Sequence, residues 1–125
     1  MRAGRAIRQA VIARLEAEVP ALTGVYDKAT ESEAYPYVSL GPSYWNDESV
    51  ECIEARSYTL QVDVWCTDGK GAAEDVVDDV STALNGWMDQ DAVTAHPARV
   101  TLVRVMDDPS GCVHGVVQVE VDVEG

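Results

Sequence analysis

Phenylalanine is missing from this chain of 125 residues, and its aromatics amount to five tyrosines and three tryptophans. Aliphatic side chains must therefore fill the core, and valine is the commonest of them. Cysteine is scarce too. Cys52, Cys66 and Cys112 are odd in number and irregular in spacing, which excludes a disulfide framework and makes a reducing compartment the expectation. Positive charge is in short supply, with 9 basic against 22 acidic residues and a net charge of −13. A DNA-binding surface needs lysine and arginine to displace condensed counterions, so that class is excluded. No uncharged apolar run approaches the roughly 18 residues that mark a membrane span. The arginine-rich start lacks a following apolar segment, so no signal peptide is expected. Repeats and low-complexity tracts are likewise absent.

What remains is an ordinary globular composition, 46% apolar. The length suits one domain spanning residues 1–125 and suffices to bury a core. Charge is unevenly placed: residues 1–14 carry Arg2, Arg5, Arg8 and Arg14 and no acid, while every acid lies beyond them. Such asymmetry favours solubility. It also supplies a basic stripe able to dock on an acidic neighbour, including another copy of the chain.

Residues 3–18 have helical spacing, with Ile7, Val11 and Leu15 recurring every four residues and alanines between them. Pro20 ends this helix. Its early arginines oppose the helix macrodipole, which implies another use for those charges. Thr23–Asp27 suggests a short strand, Lys28–Ala34 a polar loop, and Pro36–Leu40 a second strand closed by Gly41-Pro42. Ser43–Arg56 then reads as a long connection with four acids and an exposed Tyr44-Trp45 pair. Connections of this length are functional or wait for a partner to order them. Ser57–Cys66 gives the clearest strand: Tyr58, Leu60, Val62, Val64 and Cys66 alternate with Ser57, Thr59, Gln61 and Asp63, and Trp65 falls on the outward face. A second helix is expected over about residues 71–86, with Ala73, Val76, Val77, Val80, Ala83, Leu84 and Trp87 on one face. Glu74, Asp75, Asp78 and Asp79 take the other face, the early acids suiting the positive end of the dipole, and Asn85-Gly86 stops the helix. Arg99–Met106 and Val113–Val123 form a hairpin across Asp107–Gly111. The fold class that follows is α+β, an antiparallel sheet with two helices on one face and a long β-hairpin loop, Ser43–Arg56 extending as a hairpin that orders on contact with a partner.

No constellation points to catalysis, a metal or a cofactor. Cys112 and His114 share a strand face, but no Cys-x-x-Cys or helical His pair accompanies them. Asp78-Asp79 are helical neighbours that point apart. Thr67–Gly71 lacks the spacing of a phosphate loop, and Asp68 would repel phosphate, so the segment reads as a helix cap. No Gly-x-Ser-x-Gly elbow is present.

Several segments in fixed order carry a resemblance. Val25-Tyr26-Asp27 leads to Tyr35-Pro36-Tyr37-Val38-Ser39-Leu40-Gly41, then to Tyr58–Cys66 with its Val64-Trp65-Cys66 end, and Asp68–Glu74 opens the second helix before a closing hairpin. In this order the chain resembles the tail completion or tail terminator proteins of long-tailed phages and gene transfer agents. The resemblance implies a non-enzymatic subunit of a homo-oligomeric, six-fold ring at the head–tail junction of a virion, made in the cytoplasm of a bacterial host. Such a ring caps the tail tube protein, meets a head-side connector or stopper, and lets DNA through an acidic lumen without specific binding. The candidate interface residues are Arg2, Arg5, Arg8, Tyr44, Trp45, Asp47, Glu48, Glu51 and Trp65, with tryptophan a frequent interface anchor. Two other readings compete: a different neck component, such as a stopper or minor tail protein, and an acidic DNA mimic that inhibits a nuclease or repressor.

Overall fold

The valine-rich alternation becomes a single five-stranded sheet in the computed structural model, which describes residues 2–28, 34–89 and 94–125. The elements run α1 (Gly4–Glu18), β1 (Val25–Tyr26), β2 (Tyr37–Asp47), β3 (Ala55–Cys66), α2 (Lys70–Leu84), β4 (Arg99–Asp107) and β5 (Val113–Glu124). Of the polar loop expected over Lys28–Ala34, residues 29–33 lie outside the described residues. The strand order is β1-β2-β3-β5-β4. All pairs are antiparallel except β1 with β2, which run parallel over Val25–Val38 and Tyr26–Ser39.

One face of the sheet carries the core. Tyr58, Leu60, Val62, Val64 and Cys66 of β3 are all buried, as are Val113, Val117, Val119, Val121 and Val123 of β5. Both helices pack on this face, α1 through Ile7, Ala10, Val11 and Leu15 and α2 through Ala73, Val77, Val80, Ala83 and Leu84. Burial of the Cys66 thiol pushes its pKa up. Arg14 joins the two helices: its Nε donates to the Ala83 carbonyl at 2.9 Å and its guanidinium lies 5.1 Å above the Trp87 ring.

Two local expectations are corrected. The strand expected to stop at Gly41-Pro42 instead passes through them, with a register shift between Leu40 and Ser43, and continues to Asp47. A bulge accommodates the proline, which cannot donate a ladder hydrogen bond. The Thr67–Gly71 segment does cap α2, through Gly69 with φ 92 and without a side-chain hydrogen bond. The first turn of α2, however, holds no acid, because the helix starts at Lys70 and the acidic row begins only at Glu74.

Close approach of α2 to the sheet depends on Gly115 of β5. A Cβ there would lie 2.5 Å from Cγ2 of Val77 and 3.4 Å from Cβ of Val64. Gly71, in α2, has nothing within 4 Å of its Cβ position. Gly115→Ala is therefore expected to destabilise by about 1–3 kcal/mol through overpacking. Gly71→Ala should stabilise by up to about 1 kcal/mol through helix propensity. Urea denaturation of the two variants checks the opposite signs.

Candidate functional site

From Pro42 to Glu54 every residue is exposed, yet this stretch is built of paired strand. Ser43 to Asp47 pair with Leu60 to Arg56, and Glu48 N–H donates to the Ala55 carbonyl at 2.9 Å. Val50 and Ile53 exchange backbone hydrogen bonds of 3.0 and 2.9 Å around a tight turn in which Cys52 adopts φ 69. The long connection is thus the expected hairpin, an arm ordered by its own hydrogen bonds and not by contact with a partner. Ser49 locks its neck: the hydroxyl accepts from Ala55 N–H at 3.0 Å, and the backbone N–H donates to Asp47 Oδ1. The hydroxyl and N–H of Ser49 together hold the Asp47 carboxyl below its ordinary pKa.

The arm carries most of the expected interface residues. Tyr44 and Trp45 are exposed, Trp45 to 46%. The Arg56 guanidinium lies 3.8 Å over the Trp45 ring, and Tyr58 flanks it at 6.3 Å between centroids. The indole is thereby held rigid while much of its surface still meets solvent. Asp47, Glu48 and Glu51 are exposed along the arm. At its tip Val50 and Ile53 are 64% and 48% exposed, an apolar end that sequence reading missed. Glu51-Cys52 holds none of the glycine or asparagine that announces a two-residue turn. The usable signal was the strand propensity of Tyr44 and Trp45.

The basic stripe divides. Arg2 and Arg5 are exposed at the start of α1. They sit beside the base of the arm, since Gly4 lies against the Tyr58 ring that Trp45 touches. Arg8 turns inward instead. Its guanidinium donates to Asp27 Oδ1 at 3.0 Å, to the Gly41 carbonyl at 2.8 Å and to Ser43 Oγ at 3.0 Å. Gly41 and Ser43 belong to the bulge where the arm leaves the sheet and Asp27 follows β1, so Arg8 ties the two together as an internal clamp. A Cβ on Gly41 would lie 2.5 Å from Asp63 Oδ2, so a larger residue there would push the Asp63 carboxylate aside.

Trp65 is placed elsewhere. It lies seven residues from Tyr58 along β3, roughly 23 Å at strand rise, and on the opposite face of the sheet. Its ring stacks on His114 at 4.1 Å with an 8° tilt, and its Nε1–H donates to Ser39 Oγ at 3.0 Å. His114 Nε2 lies 2.7 Å from Asp63 Oδ1, which also accepts from Gln61 Nε2 at 2.8 Å. The Cys112 thiol lies 3.3 Å from the Tyr35 hydroxyl. These contacts make a half-buried polar and aromatic layer on the face away from the helices. Among the described residues, no three or more of His, Cys, Asp and Glu gather to hold a metal ion, and no helix is long and apolar enough to cross a membrane.

The geometry has counterparts in known proteins. The sequence model of a family described as tail completion protein gp17 matches residues 6–124. A chain from the virion of a native gene transfer agent particle superposes with a TM-score of 0.84 at 22% identity, covering 98% of each chain. The gp17 protein of bacteriophage SPP1 superposes with a TM-score of 0.62 at 24% identity, over 95% of this chain and 89% of that one. No curated protein sequence matches the chain.

The arm's position is expected to depend on Arg8. A charged donor on a part-buried carbonyl contributes about 1.5–3 kcal/mol, so Arg8→Ala should cost about 1–3 kcal/mol and speed amide exchange from Ser43 to Asp47. Arg8→Lys should recover only part of this, since an ammonium cannot span three acceptors as a guanidinium does. Hydrogen exchange by mass spectrometry reads both effects, and unaltered exchange in Arg8→Ala would remove the clamp.

Proposed function

Because the chain belongs to the tail completion protein gp17 family, whose model spans all but its first five residues and its last, we propose that it is a structural subunit of a six-fold ring at the head–tail junction of a phage or phage-like particle. The ring caps the tail tube and joins it to the head-side connector or stopper. The family match over almost the whole chain carries this reading. Its role is mechanical, with no catalytic step assigned.

The arm suits such a role. It is rigid at its base, through the Arg8 clamp and the Arg56–Trp45–Tyr58 stack, and apolar at its tip through Val50 and Ile53. A preordered element of this kind loses little conformational freedom when it docks, which favours affinity. The tail tube protein is the proposed partner of the tip. Arg2 and Arg5 at the arm's base, together with the exposed acids Glu74, Asp75, Asp78 and Asp79 on α2, give each copy one basic and one acidic surface. Head-to-tail contacts around a symmetry axis need only one of each.

Two measurements test the reading. Electron microscopy of particles from cells lacking the gene should show overlong tails, or tails and filled heads that never join. Normal particles at normal yield would overturn the structural role and favour the DNA-mimic inhibitor. Reversing both charges in an Arg2→Glu, Arg5→Glu variant should abolish ring assembly while the thermal melt of the monomer stays within a few degrees. Rings formed at normal yield would separate these arginines from the contact.

A further inference from the structure

The sheet has two open edges of opposite character. At one side, among the described residues, β1 covers β2 only at Val38 and Ser39, so the stretch Ser43–Asp47 pairs with β3 alone. At the other side, among the described residues, β4 pairs with β5 alone, and its Val100 N–H donates to Asn85 Oδ1 at 3.0 Å. Soluble proteins blunt such edges with lysine, proline or a very short strand. β4 is instead nine residues long, and Leu102 and Val103 on it are 45% and 40% exposed.

We propose that β4 of one copy adds, antiparallel, to the Ser43–Asp47 stretch of β2 in the next copy, so that one sheet continues across the seam between subunits. The proposal rests on the ring reading and names the contact that closes the ring. Three observations support it. First, strand direction fits. β4 runs opposite to β2 within the sheet, because β2, β3, β5 and β4 are successively antiparallel. Rotation about an axis along the strands keeps every direction, so β4 meets the next β2 antiparallel, the more stable pairing.

Second, faces match. Val103 lies opposite Val117, and Trp45 opposite Tyr58, both on the helix-bearing face. Arg104 lies opposite Val116 and Tyr44 opposite Thr59, both on the other face. Placing Val103 against Trp45 therefore also places Arg104 against Tyr44, an apolar pair on one face and a cation–π pair on the other. Third, charge is complementary: the β4 edge brings Arg104, and the β2 edge brings Asp47 and Glu48, while Arg99 is held within its own subunit by Glu120 and Asp122 at 2.9 and 3.1 Å. The only acid of β4, Asp107, is already paired with Lys70 at 3.1 Å.

The test is a disulfide formed in assembled particles. Directly opposite positions on antiparallel strands hold their Cβ atoms about 4.5–5.5 Å apart, close enough for a disulfide after a small adjustment. Particles carrying Trp45→Cys with Val103→Cys, in a Cys52→Gly background that removes the exposed native thiol, are oxidised and run on a non-reducing gel. The expected result is a ladder of multimers of this chain that ends at the closed ring and vanishes when either introduced cysteine is left out. A chain present in the particles without a ladder overturns the edge pairing and leaves the ring reading intact. A wild-type chain missing from purified particles overturns both. If the double variant fails to enter particles, Val103→Lys decides. A lysine on an exposed edge leaves the monomer's melt unchanged and blocks strand addition, so incorporation at the wild-type level refutes the proposal.

Discussion

The twelve-residue register between β3 and β5 governs this molecule. Every residue from Ala55 to Cys66 faces a partner from Glu124 to Val113 without a shift, whereas the pairings outside this ribbon, β2 with β3 and β4 with β5, each contain one. The reason is burial. A slip of one residue would turn one strand's apolar set away from the helices and its polar set into the core. At the outer strands that penalty is smaller, since much of β4 and the far half of β2 lie outside the core, and bulges are tolerated. The invariant centre and the adjustable margins are consequences of where the apolar area lies.

The arm grows out of that difference. Beyond the bulge at Gly41-Pro42 the same two strands continue past the helices, so their inward side chains, Ser43, Trp45 and Asp47, find solvent where their predecessors found core. Polar and cationic contacts replace hydrophobic burial as the source of order. Arg8 holds the bulge, Arg56 covers Trp45, and Ser49 ties the neck. The outcome is an arm that is ordered and still exposes apolar surface. Its backbone is fully paired on one side, open on the other, and apolar at the tip.

The opposite face follows a different logic. Ser39, Ser57, Thr59 and Asp63 are buried although no helix covers them. At Ser39 and Asp63 large neighbours supply the cover: Trp65 donates to Ser39 and stacks on His114, and His114 in turn meets Asp63. Trp65, which breaks the alternation of β3 when read as sequence, is therefore part of an internal layer, while Trp45 stands at the arm's exposed base. The two tryptophans take different roles because one has a histidine across the β3–β5 pair and the other has Arg56, itself bonded to the Tyr58 hydroxyl, at the arm.

Periodicity alone determined much of this. Spacing of three and four placed α1 and α2, strict alternation placed β3 and β5, and turn residues joined β4 to β5, because each signal is carried by neighbours in the chain. The residue order also supported a family resemblance, since it depends on succession and not on contact. Only the tertiary structure decided that Gly41-Pro42 is a bulge and not an end, that Arg8 is a clamp while Arg2 and Arg5 stay exposed, and that Trp65 and Trp45 lie far apart. Each of those outcomes depends on a partner from a distant part of the chain: Asp63 beside Gly41, Gly41 and Asp27 beside Arg8, His114 beneath Trp65. A sequence records what a residue is and what stands next to it. Which carbonyl or ring lies across the sheet is set by register, and register is fixed only when the whole apolar face is buried at once.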